Sequence, residues 1–136
     1  MNTADTMVVV ADGSRARFFT TDAEMVDLLE LPEMHNKQHT SHRHKAMGSG
    51  DSGHHSEEGK FATEIATHLG VEGGKRAFRD LVLVAPPHML GDLRSALPKQ
   101  VALQVTATVP KDLVGDERHT LAKHLRTLLT SKPLPP

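Results

Sequence analysis

The side chains suited to chemistry here are carboxylates, a pair of arginines and a group of histidines. Asp12 follows the β-branched run Met7 to Ala11 and stands in the turn Ala-Asp-Gly-Ser. A carboxylate at a strand end can hold a divalent ion. A two-metal nuclease needs several, because the two ions must flank the scissile phosphate about 4 Å apart. Glu57, Glu58 or Glu64 could supply a second ligand and Asp112 a third. Enzymes of that kind usually carry a further aspartate at the end of the fourth strand, and this chain has Ala85-Pro86 there. The set is incomplete, which argues against a nuclease. Without metal, Asp12 reads as a turn residue that bonds its own backbone.

Arg15 and Arg17 are two positions apart, so on a strand they share one face. With Lys111 they could bind a phosphate or an RNA backbone. Their ordinary alternative is a solvated sheet edge, and Arg94 reads as exposed on its helix. Six histidines, His35, His39, His42, His44, His54 and His55, fall between residues 33 and 56. Imidazoles suit Zn, Ni or Cu, and His39, His42 and His44 are the candidate ligands. Their spacing matches no defined zinc motif, and no thiolate is present to help. The alternative is a polar loop rich in histidine, so no cofactor is expected, with a divalent metal as the open case. His88 stands at an expected strand-to-helix turn. A helix amino terminus disfavours imidazolium and favours anions. His88 could assist acid–base work, but no Ser or Cys nucleophile lies in a recognisable setting. Its alternative is a partly buried, hydrogen-bonded histidine, while His68, His119 and His124 read as solvated helix residues.

The elements that must position these residues follow from hydrophobic pattern. Leu81 to Ala85 is a continuous apolar run, which suits a strand buried on both faces. Pro86-Pro87 stops it and can open a helix, along which Met89, Leu90, Leu93 and Leu97 recur at helical spacing. Pro98 ends that helix. Upstream, Met7 to Ala11, Ala16 to Thr21 and Met25 to Leu31 read as a three-stranded antiparallel meander, closed by Pro32, although the leucines of the last stretch would also suit a helix. Glu33 to Ser56 is polar, rich in glycine and histidine, and reads as a long flexible loop. Phe61, Ile65 and Leu69 then mark a helix starting at Ser56 and ending at Gly70 or at Gly73-Gly74. Val101 to Val109 alternates and reads as a fifth strand. Leu121, Leu125 and Leu128 mark a final helix, before a frayed tail at 131–136. The order β-β-β-α-β-α-β-α predicts an α/β fold: a ribonuclease-H-like mixed five-stranded sheet, order 3-2-1-4-5, with helices on its faces.

Composition sets the outer limits. The 136 residues suffice for one domain with a core. The formal net charge of -1 gives no global attraction to nucleic acid or membrane, so a DNA or membrane partner is not expected, though a local basic patch is compatible. With no cysteine there is no disulfide and no thiolate nucleophile. The absence of Trp and Tyr, with only four Phe, leaves few platforms for stacking bases. No basic segment precedes the short apolar run at the amino terminus, and no stretch reaches the roughly 20 apolar residues of a spanning helix. The expectation is a cytoplasmic protein, monomeric or a homodimer paired through an edge strand.

Three segments, VVVADGSRARFF, DLVLVAPPHMLGDLR and VPKDL, together resemble the bacterial host attachment proteins, also described as required for attachment to host cells. The resemblance covers most of the chain except the histidine-rich segment, and the two longer motifs are specific in combination. It implies a relation to the middle domain of the archaeal and eukaryotic class-one peptide-chain release factors, whose fold is ribonuclease-H-like. In those factors a Gly-Gly-Gln loop precedes the long helix and enters the peptidyl-transferase centre. The corresponding stretch here is MGSGDSGHHSEEGKFATEIATHL, and no Gly-Gly-Gln occurs in the chain. Gly73-Gly74-Lys75 lies after the helix and is no substitute. The resemblance therefore implies a non-catalytic module linked to the ribosome or RNA, with any effect on attachment indirect.

Overall fold

The structure, a computed structural model, describes residues 5–22, 24–36, 50–76 and 78–130. Five strands form one mixed sheet: β1 (Thr6–Ala11), β2 (Arg15–Thr21), β3 (Leu29–His35), β4 (Asp80–Val84) and β5 (Val105–Val109). Their order is β3-β2-β1-β4-β5. β1 pairs antiparallel with β2 and parallel with β4, with Val9 opposite Phe18 on one side and Leu83 on the other. The expected 3-2-1-4-5 sheet is the observed one.

Alternation along the central strands builds two cores. Met7, Val9 and Ala11 of β1, with Leu81 and Leu83 of β4, face one way. They pack against Phe61, Ile65 and Leu69 of helix α1 (Gly50–Arg76) and Met89, Leu90 and Leu93 of α2 (Pro87–Ala96). Val8, Val10, Val82 and Val84 face the other way, against Leu121, Ala122 and Leu125 of the carboxyl-terminal helix, Arg118–Thr130. Every residue of β1 is buried, as a strand covered on both faces must be.

Four local expectations shift. The third strand is Leu29–His35, not Met25–Leu31. Asp22 caps a turn there, accepting from the Glu24 and Met25 amides at 3.1 and 3.0 Å, and Met25 takes φ 57°, which no strand accommodates. Pro32 sits inside β3, which is tolerable because β3 is an edge, and the register of β2 against β3 shifts between Ala16 and Phe18. The fifth strand starts only at Val105, because Pro98 caps a four-residue helix, α3 (Lys99–Ala102), that buries Val101. The carboxyl-terminal helix is therefore α4.

The third shift is in α1, which runs to Arg76, past both glycine positions expected to stop it. Gly70 lies within the helix beside Pro98, where a Cβ would make van der Waals contact with Pro98 Cγ at 3.4 Å, and it does not end the helix. The fourth concerns the segment read as a flexible loop. Glu33 to His35 belong to β3, and α1 begins at Gly50, six residues before Ser56. Asn36 follows β3, and residues 37–49 of that segment lie outside the described residues.

Candidate functional site

β1, β3, β4 and β5 all finish at one end of the sheet, and β2 begins there. The topology therefore gathers Asp12 to Arg15, Asn36, Pro86 to His88 and the β5–α4 connection, 110–117, at this end. In open α/β sheets ligands tend to bind beyond the carboxyl ends of parallel strands. Two hydrogen bonds tie β3 to the β1–β2 turn: the Asn36 amide donates to Ser14 O at 2.9 Å, and its side-chain Nδ2 donates to Gly13 O at 2.9 Å.

Asp12 is occupied by its own turn. Its Oδ1 accepts from the Ser14 amide at 2.8 Å, the Ser14 hydroxyl at 2.9 Å and the Arg15 amide at 3.0 Å. Glu64 is exposed on α1, and Asp112 is exposed in the β5–α4 connection, at the end of the sheet where Asp12 lies. Asp12, Glu64 and Asp112 are not gathered into one metal-holding group. Among the described residues, no group of three or more His, Cys, Asp or Glu is placed to hold a metal ion. Glu57 and Glu58 fall within α1. His88 is exposed in the first turn of α2, whose amino terminus is set by Pro86 and Pro87. His39, His42 and His44 lie outside the described residues.

Arg15 and Arg17 do share a face, and both reach the β5–α4 connection. Arg15 Nη2 donates to Val114 O at 3.1 Å, and its Nη1 stands 3.7 Å from Glu33 Oε1. Arg17 is 8% exposed and almost fully committed. Its Nε and Nη2 meet the two carboxylate oxygens of Glu30 at 3.0 and 3.3 Å. Its Nη1 donates to Val114 O at 2.9 Å and Asp116 O at 2.6 Å, and its guanidinium lies 5.1 Å from the centroid of the Phe19 ring. This forked geometry suits arginine and no other cation. Arg17 thus fixes the connection rather than presenting charge to solvent.

Of the expected basic set, Lys111 is the exposed member. It lines a groove of about 560 Å³ together with Lys123 and His124 of α4. His124 Nδ1 lies 2.9 Å from Asp116 Oδ2, and the Asp116 carbonyl is the one that Arg17 holds. Lys123 and His124 had no place in the sequence-based set. A signal for them exists: α4 carries Arg118, His119, Lys123, His124 and Arg126, and no Asp or Glu. His68, expected in solvent, is half-buried with its ring edge-on to Phe18 at 4.8 Å between centroids. Among the described residues, no helix is long and apolar enough to cross a membrane.

No curated protein sequence matches the chain. One solved structure, described as an archaeal protein, aligns with 93% of this chain at 10% identity and a TM-score of 0.42. The alignment spans only 37% of that protein's own length. The family model for the bacterial archaeo-eukaryotic release factor family 12 matches residues 5–125, nearly the whole of the described chain, and the protein therefore belongs to that release-factor-like family.

Proposed function

We propose that this protein is a non-catalytic cytoplasmic binding module that associates with the ribosome or its RNA. The observation carrying this reading is the family match over residues 5–125. Release factors work on the ribosome, so a family related to them supports a translation-linked partner. Two features agree with binding rather than hydrolysis. The chain contains no Gly-Gly-Gln. Asp12, the strongest candidate for a catalytic carboxylate, spends Oδ1 on three hydrogen bonds within its own turn. A local cationic surface on a chain of net charge -1 is what phosphate contacts require without a global basic field. The host-attachment resemblance fits the same reading if attachment is an indirect consequence of altered translation.

Sucrose-gradient sedimentation of tagged protein with ribosomes, at low and high salt, tests this. The expected result is migration with ribosomal particles at low salt and release at high salt, because phosphate contacts weaken as counterions compete. Migration confined to the top of the gradient at every salt concentration would remove the reading.

A further inference from the structure

We propose that the groove between the β5–α4 connection and the outer stripe of α4 is a nucleotide-unit site, binding one phosphorylated nucleoside, free or within an RNA strand. The inference rests on the RNA-linked reading above for its biological partner, but its chemistry is argued from the groove itself. Thr120, Lys123, His124 and Thr127 recur at three- and four-residue intervals on α4, so they form one stripe along the helix. All four are exposed, while Leu121, Ala122 and Leu125 on the opposite side are buried in the core. Lys111 approaches from the connection and completes a two-lysine rim.

The lining combines the three things a nucleotide needs. Two ammonium groups and an imidazole can meet phosphate oxygens. Two threonine hydroxyls can donate to phosphate or ribose. Leu113 and Leu128 supply an apolar floor for a base or sugar face, which matters in a protein with no Trp or Tyr. Neither Asp112 nor Glu117 lines the groove, although both flank it in sequence. About 560 Å³ falls within the usual range for small-ligand sites, roughly 300–1,000 Å³, and suits one nucleotide rather than a folded partner.

The imidazole is positioned. The Asp116 carboxylate holds His124 Nδ1, which fixes the ring and leaves Nε2 as its other hydrogen-bonding atom. The Asp116 backbone is in turn held by Arg17. The arginines of β2 thus act on this site at one remove. They set the connection that presents Lys111 and Asp116, and α4 supplies the rest.

The test is fluorescence anisotropy with 5′-fluorescein-labelled octauridylate, paired with calorimetry using AMP. The variants are Lys111→Gln/Lys123→Gln together, His124→Ala, and Arg94→Gln on α2 as a control outside the groove. Circular dichroism should be unchanged for all, since each altered residue is exposed. The double variant should bind octauridylate about tenfold or more weakly. Its log K against log salt should flatten by roughly 1.4, the value for two lost phosphate contacts on a single strand. His124→Ala should lose affinity and Arg94→Gln should not. Binding of the double variant equal to wild type would overturn the site, even if the protein still sediments with ribosomes. AMP binding that needs Lys111 and Lys123, without ribosome sedimentation, would uphold the site and remove the RNA-linked partner. Wild type that binds neither probe would overturn the site.

Discussion

Arg17 Nη1 donates to the Asp116 backbone carbonyl at 2.6 Å, joining strand β2 to a connection 99 residues further along the chain. That contact has three companions: the Val114 carbonyl and both oxygens of Glu30. One side chain therefore links the edge strand β3, the strand β2 and the loop before α4. An arginine is what this position needs, because the fork satisfies a carboxylate with Nε and Nη2 while Nη1 turns to the carbonyls.

The prediction for Arg17 follows from what its removal leaves behind. Arg17→Ala removes the donor to the Asp116 carbonyl, leaves the Val114 carbonyl to Arg15 Nη2 alone, and deprives Glu30 of its cation. Glu30 is 35% exposed at its side chain, so water can recover part of its solvation and the full penalty of a buried unpaired charge does not apply. The expected loss is about 2–3 kcal/mol in urea denaturation. Arg17→Lys should recover less than half, because one ammonium cannot reach both the carboxylate pair and the carbonyls. A lysine variant as stable as wild type would show that charge alone, not the fork, matters here.

Asp12 gives a sharper separation between structure and catalysis. Its Oδ1 accepts three hydrogen bonds, and Asn keeps an oxygen at that position while losing the charge. Asp12→Ala should cost about 1–2 kcal/mol, through loss of the turn's side-chain acceptor. Asp12→Asn should cost well under half of that. A metal ligand would behave differently, since both variants would abolish any Mg- or Mn-dependent nuclease activity. Paired denaturation curves and nuclease assays on the two variants decide the role. A Mg-dependent activity in the wild type that disappears in Asp12→Asn would refute the turn-only assignment.

The sheet was readable from the chain because its central strands carry long apolar runs whose period leaves little choice. Met7 to Ala11 and Leu81 to Ala85 are covered on both faces, and the sheet pairs them side by side in parallel. The edges were harder. Met25 to Leu31 has strand-like composition, but Asp22 makes a competing turn and displaces β3 by four residues. Val101 belongs to a helix because Pro98 precedes it, although its alternation suits a strand. The basic set was half legible. The spacing of Arg15 and Arg17 placed them on one face, but spacing cannot say that carbonyls 97 and 99 residues away would consume their donors. Lys123 and His124 join Lys111 only through tertiary packing of α4.

That packing makes Leu121 the residue through which the groove can be disturbed without touching it. Leu121 is fully buried, in the same cluster as Val8, Val10, Val82 and Val84. It does not line the groove, but it lies between Thr120 and Lys123 on the same helix. Leu121→Ala removes buried methyl groups and leaves a cavity between α4 and the sheet, at a cost of about 2–5 kcal/mol. Such a loss is a large part of the roughly 5–15 kcal/mol that holds a typical domain together, so the binding measurement belongs at low temperature, where the variant stays folded. The same truncation at Leu128, which is only partly buried, should cost less, about 1–2 kcal/mol. Leu128 does line the groove, so Leu128→Ala should weaken octauridylate binding more per unit of lost stability than Leu121→Ala does. Urea denaturation and anisotropy on the two variants give that ratio. If Leu121→Ala weakens binding more at equal stability loss, the position of α4, rather than the groove's apolar floor, controls the site.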